Sequence, residues 1–339
     1  MNKAHMFPTS WSREYGRYGA YGCYATFVIA VVLIFCACGD KKVVPEHNTA
    51  AASSDSLPSA NAGRDIETSP SLKVKLYADA KGALADVLLR TNPSVIGFGE
   101  FHQQNATVKI RSALDRFRND LLPLMGAATS DLIIETWVPK GCGAVEKQVI
   151  REVEEVTERP KETENETVQL INSAKQLGVA PHILDVSCKQ YQELFDTDGQ
   201  MDFLSMLQLV GQMLGDTTQK AMAYRKENPQ GNRQRILVYG GAIHNDLYPT
   251  ETWESCAFGS RIQKLAKTYI AIDLYVPEFI DNSDLVKNEP WYPIFEEHAS
   301  PQMAVLIEKA PDSYIIIFKR GIYSAERQNE KHVHERDYN

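Results

Sequence analysis

Basic charge is in short supply. Lys and Arg number 36 against 44 Asp and Glu, a formal net charge of −8, which argues against nucleic acid as the main partner. There is no P-loop, no H-E-x-x-H and no G-x-S-x-G, so the phosphate-cradle, zincin and nucleophile-elbow chemistries lose their signatures. Gly97-Phe98-Gly99 is a fragment of a dinucleotide fingerprint, and His102 stands where its third glycine belongs. No internal repeat occurs. The one long apolar run, Ala25–Phe35, is shorter than the roughly 20 residues a membrane-spanning helix needs. Cysteine is scarce, with 6 in 339 residues.

What is present begins with an address. Ala25–Phe35 follows Lys3, Arg13 and Arg17 and ends Cys36-Ala37-Cys38-Gly39. A basic segment, a short apolar run and a small residue before a cysteine resemble a bacterial lipoprotein signal, with Cys38 as the acylated residue. The expected organisation is a signal peptide over 1–37, a disordered tether over 38–70, a single α/β domain over 71–325 and a charged tail over 326–339. Several acyl chains on Cys38 form a lasting anchor. The protein is then held on a membrane of the cell envelope, facing the periplasm or exterior. Outside the leader, Cys142, Cys188 and Cys256 remain. Cys142 and Cys188 both follow predicted strands, and a disulfide between them is expected.

Past the tether, apolar runs and helical spacing alternate. Strands are predicted at Ser94–Phe98, Asp131–Thr136, Val179–Val186, Arg235–Tyr239 and Tyr269–Tyr275, with Lys73–Ala78 as an entry or edge strand. Helices are predicted at Lys81–Arg90, Asn105–Leu124, Ala144–Glu158, Glu164–Leu177, Met201–Lys226 and Ser260–Ala266. Met303–Ile307 and Ser313–Phe318 read as a closing hairpin around Ala310-Pro311-Asp312. The alternation gives an α/β fold: a largely parallel sheet with helices on both faces, ending in a β-hairpin.

Such sheets work at the carboxyl ends of their strands. Core strands here end in groups capable of chemistry: Glu100 and His102, Glu135, Asp185 and His244. Gly97, Gly99, Gly240 and Gly241 permit close backbone approach around them. A Glu–His pair can activate water directly. The same donors, Glu100, His102, Glu135, His244 and Asp185, also meet the needs of a divalent metal such as Mn, Co, Zn or Fe. His182 is expected at the opposite sheet edge with a structural role.

At these residues the chain resembles a known group. Gly99-Glu100-Phe101-His102 is similar to the G-E-x-H motif of the TIKI/TraB, erythromycin esterase and ChaN-type superfamily. Glu135 in LIIET resembles the glutamate that ends that group's second strand, and Gly241-Ala242-Ile243-His244 its later G-x-x-H. The resemblance spans about Leu72–Phe318. It implies metal-dependent proteolysis if the chain is TIKI-like. It implies hydrolysis by Glu- and His-activated water if esterase-like, and haem binding on a surface lipoprotein if ChaN-type. After the motif the chain reads Gln103-Gln104-Asn105-Ala106-Thr107, where the haem-binding group continues Asp-Asn-Pro and a His pair. The expectation is therefore a membrane-anchored hydrolase acting on an ester, lactone or peptide bond of a small-molecule or peptide substrate. The alternative is a non-enzymatic haem- or metal-binding lipoprotein.

Overall fold

Hydrophobic runs set the strands, and their continuity tells which strands are central. In a computed structural model of the chain, Val95–Glu100 (β3), Thr129–Trp137 (β4), Arg235–Gly241 (β6) and Tyr269–Tyr275 (β7) are buried over most of their length. That is the pattern of strands covered on both faces. The structure describes residues 64–66, 72–101, 110–137, 162–196, 199–280 and 283–321. The leader with Cys38, together with His102, Cys142, the helix expected over 144–158 and the tail over 326–339, lies outside the described residues.

Five further strands complete a nine-stranded sheet: Arg64–Ile66 (β1), Lys73–Tyr77 (β2), Ala180–Leu184 (β5), Ala304–Ala310 (β8) and Ser313–Ile317 (β9). The order is β1-β2-β8-β9-β7-β3-β6-β4-β5. Every pairing from β9 through β7, β3, β6 and β4 to β5 is parallel. The pairings that join β1, β2, β8 and β9 are antiparallel. The expected α/β class, largely parallel sheet and terminal hairpin are all present, with Asp312 in the left-handed region at the hairpin turn.

Helices cover both faces. On one, the helices Ala80–Thr91 and Glu162–Gln176 pack Leu84, Val87, Leu170 and Ala174 against Ile96, Phe98, Tyr239 and Ile272. On the other, the long helix Phe203–Glu227 lays Met206, Val210 and Leu214 on Ile133, Val238 and Ala271. A third cluster, built on the helix Tyr292–His298, covers β8 and β9. Successive residues of a strand therefore feed different cores, as the period of two requires.

Several expectations change. The helix read as starting at Asn105 begins at Ala113, and Ile110–Ser112 are non-helical. Ser112 is extended and its side chain accepts from the Asp115 N–H. A serine cap fixes the start there and so overrides the apolar spacing upstream. The helix also passes through a π turn at Phe117–Leu121. Arg64–Ile66, inside the stretch read as tether, pairs with β2. The short helix Ala242–Asn245 is too brief to leave a periodicity, and it carries His244.

His182, expected at the sheet edge, lies within β5 opposite Ile133. It lies 2.8 Å from Asp131 Oδ1, near the start of β4. Arg225 donates to the same carboxylate through Nε and Nη2, at 2.6 and 2.9 Å. Cys188 is disulfide-bonded, and Cys256 is buried and free.

Candidate functional site

Strand order brings three of the expected residues to neighbouring positions. β3, β6 and β4 are adjacent, so Glu100, His244 and Glu135 emerge at one carboxyl edge. Asp185 follows β5, the outermost strand of that side, and is solvent-exposed. Among the described residues no group of three or more His, Cys, Asp and Glu is placed to hold a metal ion.

Glu135 and His244 form the tighter half of the site. His244 is 2% exposed. Its Nδ1 lies 2.9 Å from the carbonyl oxygen of Cys256. A carbonyl only accepts, so Nδ1 carries the hydrogen and Nε2 of the neutral ring is the basic atom. Nε2 stands 3.8 Å from Glu135 Oε1. The other carboxylate oxygen, Oε2, accepts from the Gly241 N–H at 2.6 Å. This geometry needs glycine at 240, where an added Cβ would sit 2.5 Å from Glu135 Oε2. The glycines beside the motif thus make room for side chains rather than for a phosphate.

The protein also aims His244 from behind. The His244 carbonyl accepts from Phe258 N at 2.8 Å. Its neighbour Asn245 is tied twice: Nδ2 donates to the Gly97 carbonyl at 3.0 Å, and the Asn245 carbonyl accepts from Tyr269 Oη at 2.8 Å.

Glu100 leaves the same edge from the opposite face. Tyr239 Oη donates to its Oε2 at 2.5 Å, with the Tyr239 ring in the core shared by Ile96 and Phe98. Glu166, on the helix Glu162–Gln176, is coupled to this half and had no sequence signal beyond a charged helix face. Ser112 Oγ donates to Glu166 Oε2 at 2.6 Å. Burial raises the Glu166 pKa, opposed by the Ser112 bond, and the nearby Asp115 and Glu100 charges add to the rise.

Two candidate donor atoms, Glu135 Oε1 and His244 Nε2, face each other among the described residues, and His102 lies outside them. A general base oriented by a carbonyl and backed by a carboxylate needs only those two.

No family model matches this chain, and no curated protein matches it. Among solved structures, the type III effector HopBA1 is similar at a TM-score of 0.38 and 11% identity, covering 77% of this chain and 99% of that one. A likeness at that level carries no functional argument.

Proposed function

We propose that the chain is a hydrolase in which His244 and Glu135 activate water at the carboxyl edge of the sheet. The observation that carries this reading is the ring's orientation: Nδ1 is bonded to Cys256 O, and Nε2 faces Glu135 Oε1 at 3.8 Å. A water beside Nε2 gives its proton to the imidazole as its oxygen attacks a carbonyl carbon. The Glu135 carboxylate stabilises the imidazolium that forms. The proton then passes to the departing alcohol or amine as the C–O or C–N bond breaks. Ester, lactone and peptide bonds all suit this sequence of events, on a small-molecule or peptide substrate. The anchor proposed at Cys38 would hold the enzyme on a membrane of the cell envelope.

Turnover by the full-length protein on ester, lactone and peptide panels tests the reading. His244→Asn keeps a donor near the Nδ1 position and removes the base; Glu135→Gln keeps an acceptor for Gly241 and removes the charge. Each should lower turnover by about 10²–10⁴-fold, the range for a lost acid–base group, with an unchanged circular dichroism spectrum. Full activity in both variants would overturn the assignment. Stoichiometric Mn, Co, Zn or Fe by elemental analysis, lost together with activity in both, would move it to metal-assisted hydrolysis.

A further inference from the structure

A second buried polar cluster lies behind His244, and the hydrolytic step above does not use it. Asp273 sits on β7, opposite Gly99 of β3, and is 2% exposed. Its Oδ2 accepts from Lys309 Nζ at 2.8 Å. The same ammonium lies 4.0 Å from Asp246 Oδ1. One cation thus faces two carboxyl groups. Lys309 and Asp246 retain 27% and 26% side-chain exposure, against 3% for Asp273.

The other oxygen of Asp273 points to an unusual neighbour. A Cβ added to Gly99 would lie 2.7 Å from Asn245 Oδ1 and 2.9 Å from Asp273 Oδ1, so both oxygens crowd one point above the glycine. Asn245 is 2% exposed, and its Oδ1 is buried with no hydrogen-bond donor among the described residues. Exchanging the amide ends would set its oxygen against the Gly97 carbonyl, which Nδ2 now satisfies. An unpaired acceptor in so dry a place costs on the order of 1–3 kcal/mol. A hydrogen on Asp273 Oδ1 removes that cost.

We propose that Asp273 is a positioning residue for His244: it is held as a carboxylic acid whose Oδ1–H donates to Asn245 Oδ1, locking the short helix Ala242–Asn245 in place. Charge balance agrees. With Asp273 neutral, the Lys309 ammonium faces the single carboxyl group of Asp246 within 4.0 Å; with Asp273 ionised, it faces a second charge at 2.8 Å. Burial raises the Asp273 pKa; the Lys309 ammonium and the side-chain contact with Asn245 oppose the rise, and Asp246 adds to it. The remaining groups around it are the Tyr269 and Tyr275 hydroxyls, both raised well above the usual tyrosine value by burial, and Glu289, which acts on Tyr275 and Lys309. Since the folded-state pKa of Asp273 is raised, its contribution to the lock is complete at low pH. That contribution fades as pH climbs through the raised value.

This inference concerns the setting of the base proposed above, and its readouts need no substrate. Failure of the hydrolase reading would show as turnover that ignores His244, a separate result. The infrared difference spectrum of full-length protein, wild type minus Asp273→Asn, should contain a protonated-carboxyl C=O band at neutral pH that converts to carboxylate bands as pH rises. The His244 ¹⁵N resonances should shift over the same interval. Asp273→Asn supplies an N–H to Asn245 at every pH, so it should keep the low-pH His244 signature and lose the pH dependence. Asp273→Leu should lose the signature throughout. Carboxylate bands alone in the wild type at neutral pH, or a His244 signature equally lost in Asn and Leu variants, would overturn the proposal.

Discussion

Glu135 Oε2 and the Gly241 N–H meet at 2.6 Å, and this bond leaves Oε1 as the oxygen that faces His244. A strand-end carboxylate in water samples several rotamers. Here one oxygen is fixed by backbone and the other is aimed. The pairing depends on the absence of a side chain on Gly240.

Gly240→Ala should therefore act on the site more than on the fold. The new Cβ would be 2.5 Å from Glu135 Oε2 and 3.1 Å from Glu135 Cβ, and Glu135, with 15% of its side chain exposed, can swing toward solvent. A displacement of about 1 Å in a catalytic group can cost about 10²-fold in rate. The expected result is turnover reduced about that much with a melting temperature within a few degrees of wild type. A large loss of stability without a specific loss of turnover would contradict it.

Gly97→Ala should do the reverse. Its Cβ would collide with the Tyr269 hydroxyl and sit 2.8 Å from Asn245 Cβ, both in the buried region beneath the short helix. Overpacking of this kind costs about 1–3 kcal/mol. Tyr269→Phe removes the colliding oxygen and with it a bond to the Asn245 carbonyl worth about 1 kcal/mol. Chemical denaturation of both single variants and the double variant should show a favourable coupling, the double being more stable than the sum of the singles predicts.

These positions show what a linear reading can and cannot reach. β3, β4, β6 and β7 announce themselves because a strand buried on both faces carries a continuous apolar run. Glu100, Glu135 and His244 stand out because a polar group ends each run or follows it closely. Periodicity carries no information about lateral order, so the adjacency of β3, β6 and β4 had to come from the fold. The tautomer of His244 depends on a carbonyl 12 residues further on, fixed by the turn around Glu254–Cys256. Asp273 sits in a run that reads as an ordinary strand and Lys309 just past the expected end of another, and only the register of the sheet brings them together near Asn245. The start of the helix at Ala113 was obscured because Ile110 lies in step with Leu114, Phe117 and Leu121 although it precedes the cap.

Ser112 offers a test of that cap. Its hydroxyl accepts from Asp115 N at 2.9 Å and donates to Glu166 at 2.6 Å. Ser112→Ala should cost about 1 kcal/mol from the cap alone. The Ser112 bond opposes the upward shift of Glu166, so its removal should raise the Glu166 pKa further. Carboxyl ¹³C titration of Glu166 in the two proteins would show the change, and an unchanged midpoint would disprove the coupling.

Acid stability should centre on Asp131. Its carboxylate is almost fully buried, and burial alone would raise its pKa. The bonds from His182 and Arg225 overcome that penalty and hold it well below the usual aspartate range. A depressed folded-state value means the stabilisation is complete above the unfolded pKa of about 3.9. It then drains away as pH falls below that value toward the folded one. Wild-type protein should lose melting temperature steeply below about pH 4. Asp131→Asn breaks the pair with Arg225 and should cost about 3–5 kcal/mol at neutral pH, because it leaves the guanidinium, 12% exposed, without its charge partner. In that variant the acid slope below about pH 4 should flatten. Melting curves of the two proteins between pH 3 and 7 distinguish the cases: parallel curves would mean that other carboxylates govern acid unfolding.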